Sequence, residues 1–110
     1  MNIFKGIKKA HEDQDMEALL SLYHEDCEFI RHKNGTSGTK AEFMERISRF
    51  WLAPSFDERM QRCIYENDDI LVEHSVMRFP DGTRESLISV KMIENGQIIR
   101  VETGATPMKR

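Results

Sequence analysis

DMEALLSLYHEDCEFIRHKNGTSGTKAEF, residues 15–43, changes its periodicity three times. Asp15 offers a side-chain oxygen to the first backbone N–H groups of a helix, and Glu17 follows in the first turn, where a negative charge is favoured. Met16, Leu19, Leu20 and Tyr23 then recur at helical spacing until Glu25-Asp26 ends the stripe. From Cys27 to His32 the pattern alternates, with Cys27, Phe29 and Arg31 on one face and Glu28, Ile30 and His32 on the other, which predicts a strand. Asn34-Gly35 is a tight-turn signal because both residues tolerate positive φ, and Thr36-Ser37 leaves room for a short return strand. Thr39-Lys40-Ala41-Glu42 is a capping box. It opens a helix that carries Phe43, Met44, Ile47, Phe50 and Trp51 on one face and stops at Ala53, before Pro54.

Working outward, Ile3, Phe4, Ile7 and Ala10 form the apolar stripe of a first short helix. Beyond Pro54 the period changes from helical to alternating. Residues 60–66, 70–79, 83–93 and 97–106 read as four strands, separated by Asn67-Asp68-Asp69, Pro80-Asp81-Gly82 and Asn95-Gly96. Connections this short make successive strands antiparallel neighbours. Three helices with apolar stripes must bury them against one face of the sheet. The expected fold is therefore α+β, with three N-terminal helices packed in a strongly curved antiparallel sheet that forms a cone.

The chain of 110 residues fits one domain, residues 1–110, large enough for a core without staples. Hydrophobic residues at 39% and charged residues at 32% suit a soluble globular protein. A net charge of −3 gives no broad attraction to nucleic acid. No apolar run approaches the ~20 residues that span a bilayer, and the N-terminus lacks the apolar stretch of a signal peptide. Cys27 and Cys63 both lie in strand-like apolar patterns and read as two buried, reduced thiols in a cytoplasmic protein. No Cys/His cluster calls for a metal, and no cofactor is expected.

Residues 15–29, with their D-x-x-A-L-x-x-L-Y-x-x-D-x-x-F pattern, resemble the helix-to-strand segment of SnoaL-type domains. These belong to the polyketide-cyclase-like and ketosteroid-isomerase-like branch of the nuclear-transport-factor-2-like superfamily. Gly35 followed by Ser37-Gly38-Thr39 is similar to the branch's hairpin-then-helix joint. Glu94-Asn95-Gly96-Gln97-Ile98 with Arg100 is similar to its last hairpin. The resemblance implies a cone-shaped pocket for a small molecule and a homodimer formed through the outer sheet face. It does not imply one chemistry, because one fold hosts many. The isomerase acids and tyrosine fall, by position, on Ile7, on Arg31 and on Ile88 or Ser89, none of which can do their work.

Some residues keep chemistry in view. His74 is the candidate general base, since imidazole titrates near neutral pH. It shares its strand face with Ile70, Val72 and Val76. Arg31, on the face of Phe29, is either a carboxylate clamp inside the cone or a solvated charge outside it. A plain two-residue turn at Asn95-Gly96 pairs Val90 with Val101, Ile88 with Thr103 and Lys91 with Arg100; it sends the charged Lys91 and Arg100 to water and Ile88, Val90, Met92, Ile99, Val101 and Thr103 into the cone. Trp51 and Tyr65 are candidates for the walls of its mouth. The expected ligand-binding set is thus Arg31, Phe29, Trp51, Tyr65, Ile88, Val101 and Thr103. Three readings compete at this point: a binder of a small, largely apolar, anionic ligand that acts as an isomerase or lyase; a non-catalytic dimeric module with a filled cavity; and a partner-binding protein that uses its outer sheet face.

Overall fold

A computed structural model describes residues 2–50, 61–79 and 81–109. Two helices, α1 (Ile3–Glu12) and α2 (Met16–Ser21), lead into strand β1 (Tyr23–Arg31). A short β2 (Thr36–Gly38) and helix α3 (Lys40–Phe50) follow. Strands β3 (Arg62–Glu66), β4 (Ile70–Arg78), β5 (Arg84–Glu94) and β6 (Gln97–Pro107) complete the chain. The end of the third helix expected near Pro54, and the expected strand start at Met60, lie outside the described residues.

The capping signals act as the sequence requires. Ala18 N donates to Asp15 Oδ1 at 3.0 Å, and Lys5 N donates to Asn2 Oδ1 at 2.9 Å. The capping box closes in both directions, with Thr39 N on Glu42 Oε1 at 2.9 Å and Glu42 N on Thr39 Oγ1 at 3.3 Å. The α1 N-terminus is also tied to the sheet, because Ile3 N donates to Glu66 Oε2 at 2.7 Å. That carboxylate lies where the positive end of the helix favours it.

The six strands among the described residues form one open sheet in the order β2-β1-β6-β5-β4-β3. It is a mixed sheet: β1 runs parallel to β6, with β2, α3 and strands β3–β5 intervening before the chain returns beside β1. The other pairings are antiparallel. The helices lie on one face and close over a core that includes Ile3, Ile7, Leu19, Phe29, Leu71 and Ile98. Tyr23, expected on the second helix, instead begins β1, where it is 4% exposed. Its ring packs 5.5 Å from that of Phe29 and 5.2 Å from that of Phe43. Burying this aromatic cluster outweighs one more helical turn.

The last hairpin departs from the simple turn rule. Asn95 and Gly96 have φ of 53° and 78°, as a two-residue turn requires, and Glu94 pairs with Gln97. Ile93 then pairs with Ile98 but Met92 with Arg100, so Ile99 is an extra residue on β6. Beyond this bulge Lys91 pairs with Val101 and Ser89 with Thr103. A slip of one residue exchanges the two faces of a strand. Leu87, Ser89 and Lys91 therefore face the helices, whereas Ile88 and Met92 lie outside, 43% and 37% exposed. The expected inward placement of Ile88, Val90 and Met92, and the expected outward placement of Lys91, are corrected by this register shift.

Candidate functional site

Between the helices and the inner sheet face lies a cavity of about 760 Å³. Much of its wall is apolar, with Ile7, Leu19, Phe29, Phe43, Met77 and Leu87 among its residues. Phe29 and Phe43 stack with centroids 4.3 Å apart and interplanar angle 16°, which fixes α3 over β1.

Strand register places a polar row across this wall. Arg31 pairs with Thr103, Thr103 with Ser89 and Ser89 with Glu73, and all four side chains line the cavity. Glu73 and Ser89 are buried, at 3% and 5% exposure. Glu73 forms an ion pair with Lys91, and its second oxygen accepts from Gln61 Nε2 at 2.8 Å. Lys91 Nζ also donates to Ser89 Oγ at 2.9 Å. The pair forms the floor of the cavity. Removing two charges from water costs several kcal/mol per ion, and mutual attraction offsets that cost only while both partners and their hydrogen bonds stay in place.

Two further side chains meet this floor. His11, from the last turn of α1, lines the cavity. Burial lowers its pKa to about 4; Glu73 works against that shift and Lys91 adds to it. The imidazole is thus neutral at physiological pH. Burial raises the Tyr23 phenol, and the Glu73 carboxylate raises it further, so it stays a protonated donor. A carboxylate, an ammonium, a neutral imidazole and a phenol in one cavity can accept a proton and stabilise a developing oxyanion.

The expected site residues separate into three groups. Phe29, Arg31, Val101 and Thr103 are brought together on the cavity wall. His74, Ile88 and Tyr65 do not line it. His74 pairs with Ile88 in the register and shares its outer face, since the inner face of β4 is Leu71, Glu73, Ser75 and Met77. Arg62 Nε donates to His74 Nδ1 at 3.1 Å, which places the imidazole proton on Nε2, where Ser86 Oγ accepts at 2.8 Å. Hydrophobic alternation pointed the wrong way because the more apolar face of β4 is the outer one. Tyr65 is 56% exposed on the edge strand β3, and Cys63 on the same strand, expected to be buried, is exposed as well. Trp51 lies outside the described residues.

Sequence reasoning passed over Glu73, His11 and Arg46, and it sent Lys91 to water. Each carried a usable signal. Glu73 and Lys91 occupy the polar faces of neighbouring strands, and His11 continues the stripe of Ile3 and Ile7 by one turn. Arg46 lies one turn beyond Phe43 on the cavity side of α3.

A model of the SnoaL-like domain matches residues 7–104. No curated protein sequence matches the chain significantly. Among solved structures, an NTF-2-like protein of unknown function from Burkholderia xenovorans LB400 superposes with a TM-score of 0.75 at 14% identity, covering 98% of this chain and 83% of its own. A candidate ketosteroid isomerase from Kribbella flavida gives 0.77 at 12% identity, over 98% and 78% of the two chains. IdmH, a candidate polyketide cyclase from Streptomyces antibioticus, gives 0.70 at 16% identity, over 94% and 88%. At these identities the likeness is one of fold.

Proposed function

We propose that this chain, which belongs to the SnoaL-like domain family, holds a small, largely apolar ligand in its cone and moves a proton at the cavity floor, as an isomerase or lyase does. The observation that carries this reading is the buried Glu73–Lys91 pair at the base of an apolar cavity. Such a pair adds little to stability over apolar residues of the same size. In a cavity, however, it supplies a proton acceptor beside a cation. In this reading Glu73 takes the proton from carbon, and Lys91 with the Tyr23 hydroxyl meets the charge left on oxygen. The outward His74 has no part in the reaction, and Arg31 on the wall meets an anionic group of the ligand.

The experiment is proton exchange without a known product. Apolar keto acids are incubated with the protein in D2O and their α-proton signals followed by NMR. The wild-type chain and His74→Ala are expected to accelerate exchange, and Glu73→Gln is not. Absence of protein-dependent exchange across the series supports the second reading, a non-catalytic module. That reading draws on the engagement of both Glu73 oxygens, one by Lys91 and one by Gln61.

A homodimer through the outer sheet face is part of the same reading. Ile70, Val72 and Val76 on β4 and Ile88, Val90 and Met92 on β5 are all on that face, exposed or half-buried. Apolar alternation on the solvent side of a sheet suits burial against a second copy. Ile88→Glu is expected to halve the mass measured by light scattering. An unchanged mass, or a monomeric wild type, overturns the dimer. Two free thiols, one of them exposed, fit the reducing setting of the cytoplasm.

A further inference from the structure

The β1 end of the polar row, with α3 beside it, carries a charge arrangement that neither the fold nor the proton chemistry requires. Helix α3 runs alongside β1 in the same direction. Lys40 Nζ at its start donates to Tyr23 O at 2.9 Å, and Phe43 one turn later stacks on Phe29. Arg46 comes one turn after Phe43, and Arg31 two residues after Phe29, on the same face of β1. The same progression therefore sets Arg46 beside Arg31, and both half-buried side chains line the cavity. The guanidinium of Arg46 also lies over the Phe43 ring, 5.6 Å from its centroid.

Two half-buried guanidiniums lining one cavity repel each other, and a shared carboxylate would offset that repulsion. Among the described residues neither makes an ion pair, and the surrounding acids are engaged elsewhere. Glu42 caps Thr39, Glu45 binds Arg49 at 2.6 Å, and Glu85 binds Lys33. Glu102 is shared by His32 and Arg100, and Asp81 holds Thr83. The electrostatic cost is visible: burial lowers the pKa of Arg46 and the charge of Arg31 lowers it further, while Glu42 counteracts only in part.

We infer that Arg31 and Arg46 form a two-arginine clamp for the oxyanion head of the ligand, whose apolar body lies along the Phe29–Phe43 stack towards the Glu73–Lys91 floor. Planar guanidiniums match the two oxygens of a carboxylate, and anion binding relieves their mutual repulsion. The ligand class is then an apolar molecule with one terminal acid group. The inference rests on the proposed cavity-binding function and adds to it which end of the ligand faces which wall.

The test uses two fluorescent probes of similar apolar body. 1-Anilinonaphthalene-8-sulfonate carries an acid group, and N-phenyl-1-naphthylamine does not. Affinities are measured by fluorescence titration for the wild type, Arg31→Gln, Arg46→Gln, Arg46→Lys and the double Gln variant, with melting curves to show that each is folded. The clamp predicts that the wild type prefers the sulfonate by tenfold or more. Each Gln variant should lose most of that preference, the double variant all of it, and Arg46→Lys should keep part. Binding of the neutral probe should stay unchanged throughout. If both probes bind and the arginine variants leave their ratio alone, the clamp is wrong while the cavity reading stands. If neither probe binds the wild type, both are overturned.

Discussion

Removing one partner of the Glu73–Lys91 pair should be among the most damaging single changes in this chain. Glu73 is 3% and Lys91 8% exposed, and their hydrogen bonds to Gln61 and Ser89 are made inside the cavity. Glu73→Leu leaves an ammonium whose remaining hydrogen-bond partner among the described residues is the Ser89 hydroxyl. Lys91→Met leaves a carboxylate held by one amide. Breaking a buried pair in this way costs about 3–5 kcal/mol. A domain of this size has about 5–15 kcal/mol in total, so each single variant sits near the edge of folding. Its melting temperature should fall by on the order of 12–40 °C, at about 4–8 °C per kcal/mol for small domains. The double variant Glu73→Leu/Lys91→Met removes both charges and fills the space with apolar atoms. It should lie within about 1 kcal/mol of the wild type, or above it. Urea denaturation followed by circular dichroism at pH 7 measures all four proteins, and the cycle gives the coupling. Single variants that cost under about 1 kcal/mol would mean that water reaches the pair. A double variant as damaged as the sum of the singles would mean that the two charges do not compensate each other. Either result refutes the account of the floor.

Further outcomes follow from other parts of the structure. His11 titrates at about 4 in the folded protein against 6.5 ordinarily. Between those values the unfolded chain binds the extra proton and the folded one resists it, so stability is full above pH 6.5 and falls as the pH drops towards 4. The loss is at most about 3 kcal/mol, and His11→Gln should flatten that part of the stability profile measured by urea midpoints. Thr39→Ala removes one half of the capping box and should cost about 1 kcal/mol in the same assay. A thiol reagent should modify one cysteine in the native protein and two in urea, because Cys63 is exposed whereas Cys27 is buried and its thiol is pushed up to about 11. Gly96→Val places a branched side chain at φ 78° and should cost about 1–3 kcal/mol.

Local signals made the fold legible. Caps at Asp15 and Thr39, turns at Asn34-Gly35 and Asn95-Gly96, and the change from helical to alternating period after Pro54 located the elements within a few residues. The parallel β1–β6 pairing was invisible, because pairing across distant strands is decided by packing and not by any short motif. The site was less legible. Arg31 and Phe29 were identified by alternation and lie on the cavity wall. The assignments on β4 and β5 failed for one shared reason: both strands are more apolar outside than inside. A rule that sends the apolar face inward selects His74 and Ile88 and overlooks Glu73 and Lys91. The Ile99 bulge, which sequence does not announce, then completes the inversion on β5. A sheet with a polar row on its inner face and an apolar exterior reverses the usual binary pattern, and that reversal is itself the sequence trace of a polar cavity.

Where a ligand binds is the most direct question for the whole account. Backbone amide shifts of the 15N-labelled protein, titrated with 1-anilinonaphthalene-8-sulfonate, answer it residue by residue. Binding in the cone predicts that the largest changes fall on the inner row and its helix, at Phe29, Arg31, Phe43, Arg46, Ser89 and Thr103. Changes centred instead on Val72, His74, Ile88 and Val90 would place the binding surface on the outer sheet face and contradict the account.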